Sequence, residues 1–406
     1  MLNKQEAVQM VRENILPFWQ GMIDNEYGGF YGETDFYGKI DKTADKGGIL
    51  NSRILWTFSA AYNLFKDDSY KNSAVHARDF LSRAFYDDEF GGVYWLVDNK
   101  GSPLQTRKQF YNLAFAIYAL SEHYLAFGNQ SSLDLALDLF YALEKHGFDS
   151  AAGGYIEARV RNWSDIDDFR LSGKDLNCPK SMNTNLHVLE AYTNLLKACA
   201  DTNERVKNAL KNLLRITLDK IVNSAFHFEL FFDMHWRSLS REVSYGHDIE
   251  GSWLMYEAAL ATGDEGLINE TKNTAIKIAD VIYAKALDYK DSNPEKGGIS
   301  NEASCGLISG CDEDGKIRNK KEWWPQAEAV IGFYNVYELT GDKKYFNAAD
   351  SVWEYIKSFF VDNARGEWHN ELFADNTPDA KMPKAGFWKC PYHNARACFE
   401  IIKRMS

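Results

Sequence analysis

The sequence predicts an all-α fold, a closed toroid of six helical hairpins, or (α/α)6 barrel. Two observations predict it: short Gly-Gly segments recur along the 406-residue chain, and the apolar residues between them follow helical spacing. In a toroid each hairpin buries its apolar face against its neighbours, so residues 1–406 are expected to form one domain. An open solenoid of helical pairs is the alternative, but no terminal unit has an obviously polar outer face.

The Gly-Gly segments define the repeating unit. The first three copies lie 63 and 62 residues apart, and the last two lie 69 apart. The gap of 144 residues between the third and fourth copies leaves room for one more unit, so six units are predicted. The copies are Gly28-Gly29-Phe30-Tyr31, Gly91-Gly92-Val93-Tyr94, Gly153-Gly154-Tyr155-Ile156, Gly297-Gly298-Ile299-Ser300 and Arg365-Gly366-Glu367-Trp368, with Phe228-Glu229-Leu230-Phe231-Phe232 in the gap.

Each unit is predicted to run as helix, short extended Gly-Gly segment, loop and helix. Three apolar helix faces carry this prediction: Leu50, Ile54, Leu55 and Phe58; Phe110, Leu113, Ala114, Ile117 and Leu120; and Leu186, Leu189, Tyr192 and Leu196. The helices after the Gly-Gly segments should begin near residues 48, 108, 181, 246, 323 and 389.

Composition narrows the class of partner. The net charge is −12 and the Lys and Arg residues are dispersed, which argues against nucleic-acid or anionic-membrane binding and favours a neutral or cationic small molecule. The segment from Met1 to Glu6 leads into an amphipathic helix without an apolar signal core, and no apolar run reaches membrane-spanning length. We therefore expect a cytoplasmic protein that is a monomer or a weak homo-oligomer.

The unusual polar and aromatic residues fall near the starts of the second helices of the units. Alternate helices of an (α/α)6 barrel run parallel in an inner ring, so these starts converge on one mouth, where their dipoles favour an anionic intermediate. The residues are Arg53, Tyr111, Asn183, His187, His247, Glu250, Trp323, Trp324, Glu328, Trp388 and His393.

Three histidines are candidates for proton transfer near pH 7, because His187, His247 and His393 occupy similar places in three units. The other histidines are expected to be ordinary surface or core residues. Arg53 lies among apolar neighbours, so it should either pair with Glu250 or Glu328 or bind a substrate oxygen. The three tryptophans could hold the apolar face of a sugar ring.

Other chemistries compete with this interpretation. His247 and Glu250, three residues apart on a helix, could join further histidines in a metal site, although no His-Glu-x-x-His pattern is present. Glu250 and Glu328 could serve a glycoside hydrolase, or the protein could bind sugar without catalysis. Six cysteines without a Cys-x-x-Cys pair are expected to be reduced thiols, and Cys390 near His393 is a weak nucleophile candidate.

Six sequence blocks together resemble the cellobiose 2-epimerases of the N-acylglucosamine 2-epimerase superfamily. The resemblance runs from about Phe18 to Arg396, and its last three blocks are the most specific. The blocks are Ser52-Arg53-Ile54-Leu55-Trp56, Tyr111-Asn112-Leu113-Ala114-Phe115-Ala116, Met182-Asn183-Thr184-Asn185-Leu186-His187, Ser244-Tyr245-Gly246-His247-Asp248-Ile249-Glu250, Trp323-Trp324-Pro325-Gln326-Ala327-Glu328 and Trp388-Lys389-Cys390-Pro391-Tyr392-His393-Asn394.

The resemblance implies a metal-independent isomerase, without a cofactor, that inverts C2 of the reducing-end aldose of a β-1,4-linked disaccharide through a cis-enediolate. It makes His247 and His393 the acid/base pair. It further implies that His187 assists ring opening or holds the substrate, that Arg53 stabilises the enediolate and that Glu250 orients or tunes His247. The residues implied to contact the sugar are Tyr111, Asn183, Trp323, Trp324, Glu328 and Trp388.

The preferred sugar and the product stay open at this stage. Mannobiose or mannose epimerisation, or aldose-ketose isomerisation, would use the same side chains in a slightly different geometry. Segments 160–180, 300–322 and 372–387 are rich in Gly, Asp, Asn and Lys, and we expect them to cross the mouth of the barrel and to set the substrate preference.

Overall fold

The computed structural model describes residues 1–173, 175–288 and 305–405, and helices dominate it. Their bounds are α1 Lys4–Gln9, α2 Leu16–Gln20, α3 Gly48–Phe65, α4 Asp68–Phe80, α5 Phe110–Phe127, α6 Gln130–His146, α7 Met182–Ala198, α8 Glu204–Ile216, α9 Tyr245–Thr262, α10 Glu265–Lys285, α11 Trp323–Thr340, α12 Lys343–Tyr355 and α13 Tyr392–Arg404. A π-helical stretch, Met10–Ile15, joins α1 to α2 into one bent helix.

The helices form two concentric rings. The inner ring is α3, α5, α7, α9, α11 and α13, and each of these packs against the next, with α13 returning to α3. The outer helices alternate with them along the chain, and the apolar core fills the space between the rings. The predicted closed (α/α)6 barrel is therefore confirmed, and the inner helices begin within three residues of the predicted positions.

Short strands link neighbouring units at the N-terminal ends of the inner helices. A two-residue strand precedes each of α3, α5, α7, α9 and α11, and it pairs antiparallel with a strand of the following unit. The pairs are β3 (Lys46–Gly47) with β4 (Leu96–Val97), β6 (Lys108–Gln109) with β7 (Ala158–Arg159), β8 (Lys180–Ser181) with β9 (Phe231–Phe232), β10 (Val243–Ser244) with β11 (Gly310–Cys311), and β12 (Lys321–Glu322) with β13 (Glu371–Leu372).

The first unit closes the ring. Its strands β1 (Glu33–Thr34) and β2 (Ile40–Asp41) pair with each other, and Thr34 forms a bridge with Ala385 just before α13. This bridge joins the last unit to the first by backbone hydrogen bonding. In the second unit, β5 (Pro103–Gln105) extends the sheet at β4.

The Gly-Gly segments close tight loops at the ends of the outer helices. In the first unit Asp24 N donates to Gly29 O over 2.9 Å, and both glycines have positive φ, which only glycine adopts readily. The predicted gap unit is present, because Val222 forms a bridge with Phe228 at the equivalent place. This fourth loop is one residue shorter, with Asn223 N donating to His227 O over 2.9 Å.

In the fifth unit the loop closes at a different glycine from the predicted one. Asp288 N donates to Gly306 O over 3.0 Å, as the aspartate of the first unit does to its glycine, so Gly306 takes the place predicted for Gly298. The segment Gly297-Gly298-Ile299-Ser300 lies outside the described residues. The sixth loop is where it was predicted, with Asp362 N donating to Glu367 O over 3.0 Å.

An ion pair accompanies five of the six loops, and in four of them both side chains are buried. The aspartate that starts the loop pairs with a lysine in or near the strand that precedes the inner helix, and the pairs are Asp24–Lys46, Asp87–Lys108, Asp149–Lys180, Asp288–Lys321 and Asp362–Lys384. In the fourth unit His227 Nδ1 lies 2.7 Å from Asp248 Oδ2 instead. Each pair fixes a loop to the start of an inner helix and so positions the mouth of the barrel. Within the described residues, no helix combines the length and the apolar character needed to cross a membrane.

Candidate active site

The N-terminal ends of the inner helices open into a cavity of about 440 Å³. Ten of the eleven predicted site residues line it: Arg53, Tyr111, Asn183, His187, His247, Glu250, Trp323, Trp324, Trp388 and His393. Glu328 is fully buried directly behind His393. Loop residues from the three segments expected to cross the mouth also line the cavity, among them Leu171, Arg318 and Phe387.

His393 faces the cavity from the first turn of α13. Its Nδ1 lies 2.7 Å from Glu328 Oε1, and because an ionised carboxylate only accepts hydrogen bonds, Nδ1 carries the proton. The other ring nitrogen, Nε2, then holds a lone pair. Burial lowers the pKa of His393 well below its ordinary value, and Arg53 and Arg396 lower it further. His393 is thus a neutral base.

His187 is arranged in the same way on α7. Its Nδ1 lies 2.9 Å from Glu190 Oε2, one helical turn further along, so its Nε2 is also free of a proton. Burial lowers the pKa of His187, although Glu190 opposes this effect. The ring packs edge-on against Tyr111, with the centroids 5.0 Å apart.

His247 has a hydroxyl partner instead of a carboxylate. Its Nδ1 lies 2.7 Å from Ser244 Oγ, and the same oxygen caps α9 by accepting from His247 N over 3.4 Å. Burial, then the charge of His187, lowers the pKa of His247 to about 3. Because the Ser244 hydroxyl can donate to Nδ1, it favours the tautomer with the proton on Nε2.

Trp324 contacts both of the histidines predicted to be the acid/base pair. Its ring centroid is 4.6 Å from that of His247 and 5.5 Å from that of His393. Gly246 makes this approach possible, since a Cβ at this position would lie 2.7 Å from the Trp324 ring. The two imidazoles therefore flank one indole on the cavity wall.

The other tryptophans surround the same space. Trp323 is buried against His393, with ring centroids 5.4 Å apart, and Lys389 Nζ lies 4.1 Å from its centroid. Trp388 is 38% exposed at the mouth, with Tyr111 at a centroid distance of 6.0 Å. An exposed indole at the mouth of a cavity is a suitable platform for the apolar face of a sugar.

Arg396 organises the base of the site. Its Nη2 donates to Glu250 Oε1 over 2.6 Å and to Glu328 Oε1 over 2.7 Å. Its Nη1 donates to Glu190 Oε1 and to the Tyr392 hydroxyl. One buried guanidinium thus connects the carboxylate behind His187 with the carboxylate behind His393.

Among the described residues, one of the two alternatives for Arg53, its pairing with Glu250 or Glu328, is not found, and neither is the implied contact of Glu250 with His247. Arg53 is ion-paired with neither Glu250 nor Glu328 among the described residues; its Nη2 donates to the Tyr111 hydroxyl over 2.8 Å and its guanidinium lies 4.1 Å from the Phe115 ring centroid. Arg396 takes the place of Arg53 beside the two carboxylates. Glu250 does not support His247 either, since its Oε1 lies 3.7 Å from His393 Nδ1.

The guanidinium of Arg396 also argues against a metal site. Ligand atoms of Glu250, Glu328 and His393 lie within 4.8 Å of one another, a spacing that could hold an ion. Arg396 already provides the cation between the two carboxylates, so an added metal ion would be repelled by a charge that cannot be neutralised. His247, the predicted ligand, is not part of this group.

The remaining histidines and the cysteine lie outside the cavity wall. The six other histidines have the ordinary surface or core surroundings expected of them; His227, for example, is paired with Asp248. Cys390 is buried and accepts a hydrogen bond from Arg53 Nη1 over 3.7 Å. None of the six cysteines, all of which lie in the described part of the chain, forms a disulfide, as predicted.

Sequence reasoning missed Ser244, Glu190, Tyr392 and Arg396. A signal existed for three of them. Glu190 and Arg396 lie three residues after His187 and His393, on the same helix faces. Ser244 carries the sequence signature of a helix N-cap three residues before His247. Only Tyr392 had no distinguishing pattern.

The chain is similar to known proteins over nearly its whole length. A family model described as N-acylglucosamine 2-epimerase matches residues 29–397. The chain is 44% identical over 401 residues to a cellobiose 2-epimerase of Bacteroides fragilis, with 98% of each chain covered. It is also similar to the crystal structure of a sugar epimerase from a ruminal bacterium, with a TM-score of 0.92, 40% identity and 99% of each chain covered. A D-mannose isomerase has the same fold, with a TM-score of 0.84, 22% identity and 99% of this chain and 98% of the other covered.

Proposed function

Since this chain belongs to the N-acylglucosamine 2-epimerase family, we propose that it catalyses the reversible epimerisation of cellobiose at C2 of its reducing-end glucose. The product is a glucosyl-mannose disaccharide. This activity is the one named for the Bacteroides fragilis relative, which matches over nearly the full chain.

One observation carries the mechanism: two neutral imidazoles with different proton placement flank Trp324. His393 offers a bare Nε2, because its proton is on Nδ1 toward Glu328. His247 offers a protonated Nε2 when Ser244 donates to its Nδ1. Inversion at C2 requires a base and an acid on opposite faces of the carbon, and these two imidazoles supply one of each.

The reaction begins with opening of the pyranose ring, because the C2 proton is acidic only beside a free aldehyde. In one direction His393 takes the proton from C2, which leaves a cis-enediolate and an imidazolium. The negative charge of the enediolate favours uptake of a solvent proton by His247, which then delivers its Nε2 proton to the opposite face of C2 and returns to the neutral ring, while the His393 imidazolium releases its proton to solvent. The reverse reaction exchanges the two roles, and each positioned proton transfer accelerates the reaction by about 10² to 10⁴.

The enediolate is an anion and needs a cation beside it. Arg53 fits this role, since its buried guanidinium has no carboxylate partner among the described residues and lines the cavity. His187 lies on the same side against Tyr111, where its bare Nε2 can take the proton of the anomeric hydroxyl and pass it to the ring oxygen O5 as the C1–O5 bond breaks. Glu190 would stabilise the imidazolium that forms.

Sugar contacts come from the aromatic and amide groups of the wall. Trp388 supplies an exposed indole at the mouth, and Tyr111 and Trp324 supply further ring faces. Asn183 lines the cavity with a buried Oδ1 that has no hydrogen-bond partner among the described residues, so it can accept from a sugar hydroxyl. Trp323 packs behind His393, and Glu328 holds that histidine without touching substrate.

This mechanism uses no metal ion. The charge that a metal would supply to the enediolate comes from Arg53, and Arg396 neutralises the carboxylates behind the histidines. Activity is therefore expected to survive dialysis against a strong chelator unchanged.

Product analysis in heavy water tests the proposal. Incubation with cellobiose in D2O should place deuterium at C2 of both the product and the recovered substrate, as read by NMR. H247A and H393A should each lower kcat by at least about 10²-fold. A panel containing mannobiose, mannose and glucose should show which reducing sugar is preferred.

Three results would contradict the proposal. Epimerisation without solvent deuterium at C2 would exclude exchange through two solvent-accessible bases. A ketose as the main product would mean that the proton returns to C1, which makes the protein an aldose-ketose isomerase. Sugar binding without any turnover, unchanged in H247A and H393A, would indicate a non-catalytic binding protein.

A further inference from the structure

The buried groups around Arg396 carry an excess of negative charge. Glu190, Glu250 and Glu328 come from three different inner helices, and each contacts the same guanidinium. Their side chains are at most 3% exposed, so water cannot screen them. Among the described residues, Arg396 is the one arginine or lysine that pairs with these groups, so three carboxylates share one guanidinium. A buried group in excess takes up a proton rather than remain charged.

Glu190 is ionised, because both of its oxygens accept hydrogen bonds. Its Oε2 accepts from His187 Nδ1 over 2.9 Å, and its Oε1 accepts from Arg396 and from the Tyr392 hydroxyl. Burial alone would raise the pKa of Glu190, but Arg396 and these hydrogen bonds outweigh burial and hold it at about 2. A proton on either oxygen of Glu190 would displace one of these donors.

Both carboxylate oxygens of Glu328 also accept hydrogen bonds. Its Oε1 lies 2.7 Å from His393 Nδ1 and 2.7 Å from Arg396 Nη2, and its Oε2 accepts from Trp253 Nε1 over 3.1 Å. Burial raises the pKa of Glu328, and Arg396 and Trp253 oppose that rise. A proton on either oxygen would displace a donor.

Glu250 differs from the other two. Its Oε1 accepts from Arg396 Nη2 over 2.6 Å, but its Oε2 is buried and has no hydrogen-bond partner among the described residues. An ionised oxygen in this position would be the least stabilised charge of the cluster. Burial, then the charge of Glu328, raises the pKa of Glu250 well above its ordinary value, which agrees with the geometry.

We infer that Glu250 is a neutral carboxylic acid in the resting protein, with its proton on Oε2, and that this proton keeps His393 uncharged. Glu250 Oε1 lies 3.7 Å from His393 Nδ1, on which Glu328 already acts at 2.7 Å. A second anion there would stabilise the imidazolium and remove the base. Glu250 is thus a positioning residue that acts through His393.

The protonation state does not depend on the proposed function, although its role in catalysis rests on it. Infrared difference spectra of the substrate-free protein in H2O and D2O should contain the carbonyl stretch of a protonated carboxylic acid. This band should be absent in E250Q. Glu157 is the matched control, since it is buried, accepts from Ser181 and Thr184, and has its pKa raised by burial to about 7. At a pH of about 8, one unit above that value, E157Q should retain the band.

Kinetics test the role of the proton. Glutamine is neutral and has the shape of a protonated glutamate, so E250Q should lower kcat by less than about tenfold, whereas E328Q, which removes the anion behind His393, should lower it by about 10²-fold or more. E250A should lose more activity than E250Q, because it leaves Arg396 without one acceptor.

Two outcomes would overturn the inference. One is a wild-type spectrum in which E250Q removes no carbonyl band. The other is an E250Q variant that loses as much kcat as E328Q while its KM and unfolding temperature stay at the wild-type values. If the wild-type protein turns over no aldose, the proposed function fails, but the infrared measurement still decides the state of Glu250.

Discussion

At the scale of single residues, the site is defined by the group behind each imidazole. His187 and His393 each have a carboxylate at Nδ1, whereas His247 has the hydroxyl of Ser244. This difference sets which ring nitrogen carries a proton, and hence which histidine can take one. Arg396 joins the two carboxylates into one network.

The bridge made by Arg396 can be tested with R396K. Lysine keeps the charge, but its single ammonium cannot reach the carboxylates on both sides of a guanidinium fork. Buried acceptors would lose their donors, so we expect the free energy of unfolding to fall by about 1 to 3 kcal/mol. Since His187 and His393 would both lose their alignment, kcat should fall by at least about tenfold. Urea unfolding and steady-state kinetics measure the two effects.

The control is R404K on the same helix. Arg404 also contacts several carboxylates, including Glu338 at 2.6 Å and Glu257 at 3.2 Å, but it lies at the opposite end of α13 from the cavity. This variant should keep kcat and lose less than about 1 kcal/mol of stability. Equal loss of activity in both variants would mean that α13 as a whole, rather than the bridge, supports the site.

At the scale of elements, the start of α9 combines a helix cap with a contact to the His247 ring. Ser244 Oγ accepts from the backbone of His247 and also bonds its ring. The helix terminus and the imidazole are therefore fixed by one atom, which follows from their spacing of three residues.

S244A should separate these two functions. Loss of the cap should cost about 1 kcal/mol of stability. Loss of the ring contact should also lower kcat, by about tenfold, because His247 would no longer be held in one tautomer and orientation. N203A provides the comparison, since Asn203 caps the outer helix α8 and lies away from the cavity. It should show the same loss of stability with wild-type kcat; a lowered kcat in N203A would contradict the assignment.

At the scale of the whole molecule, the aspartate-lysine pairs make the mouth a single rigid rim. Five units of the described chain repeat the pair, each joining a loop to the start of an inner helix. Because neighbouring units share strands and the last returns to the first, damage in one unit should weaken all of them.

K46M tests this coupling in the first unit, which contributes none of the three candidate histidines. Lys46 and Asp24 are both buried, with Nζ 2.6 Å from Oδ2, so removal of the lysine leaves an unpaired buried carboxylate. We expect a loss of about 3 to 5 kcal/mol in the free energy of unfolding. Circular dichroism and activity should be lost at the same urea concentration. The exposed Lys343 supplies the control K343M, which should unfold like the wild type; separate transitions in K46M would show that the units unfold independently.

The sequence by itself determined the type of fold, the six units and the set of groups at the mouth. Repeat spacing and helical periodicity are local properties, so the positions of the inner helices could be predicted within a few residues. Once these starts were known, the parallel inner ring required Arg53, Tyr111 and the three histidines to share one cavity.

Only the tertiary structure decided which side chains pair. Arg396 contacts Glu328, Glu250 and Glu190 across 68, 146 and 206 residues of sequence, and no local pattern distinguishes it from Arg53 as their partner. The Gly-Gly pattern likewise predicted that the fifth loop ends at Gly298, whereas backbone hydrogen bonding shows that it ends at Gly306. Partner choice depends on distances between helices, and those distances are set by packing around the whole ring.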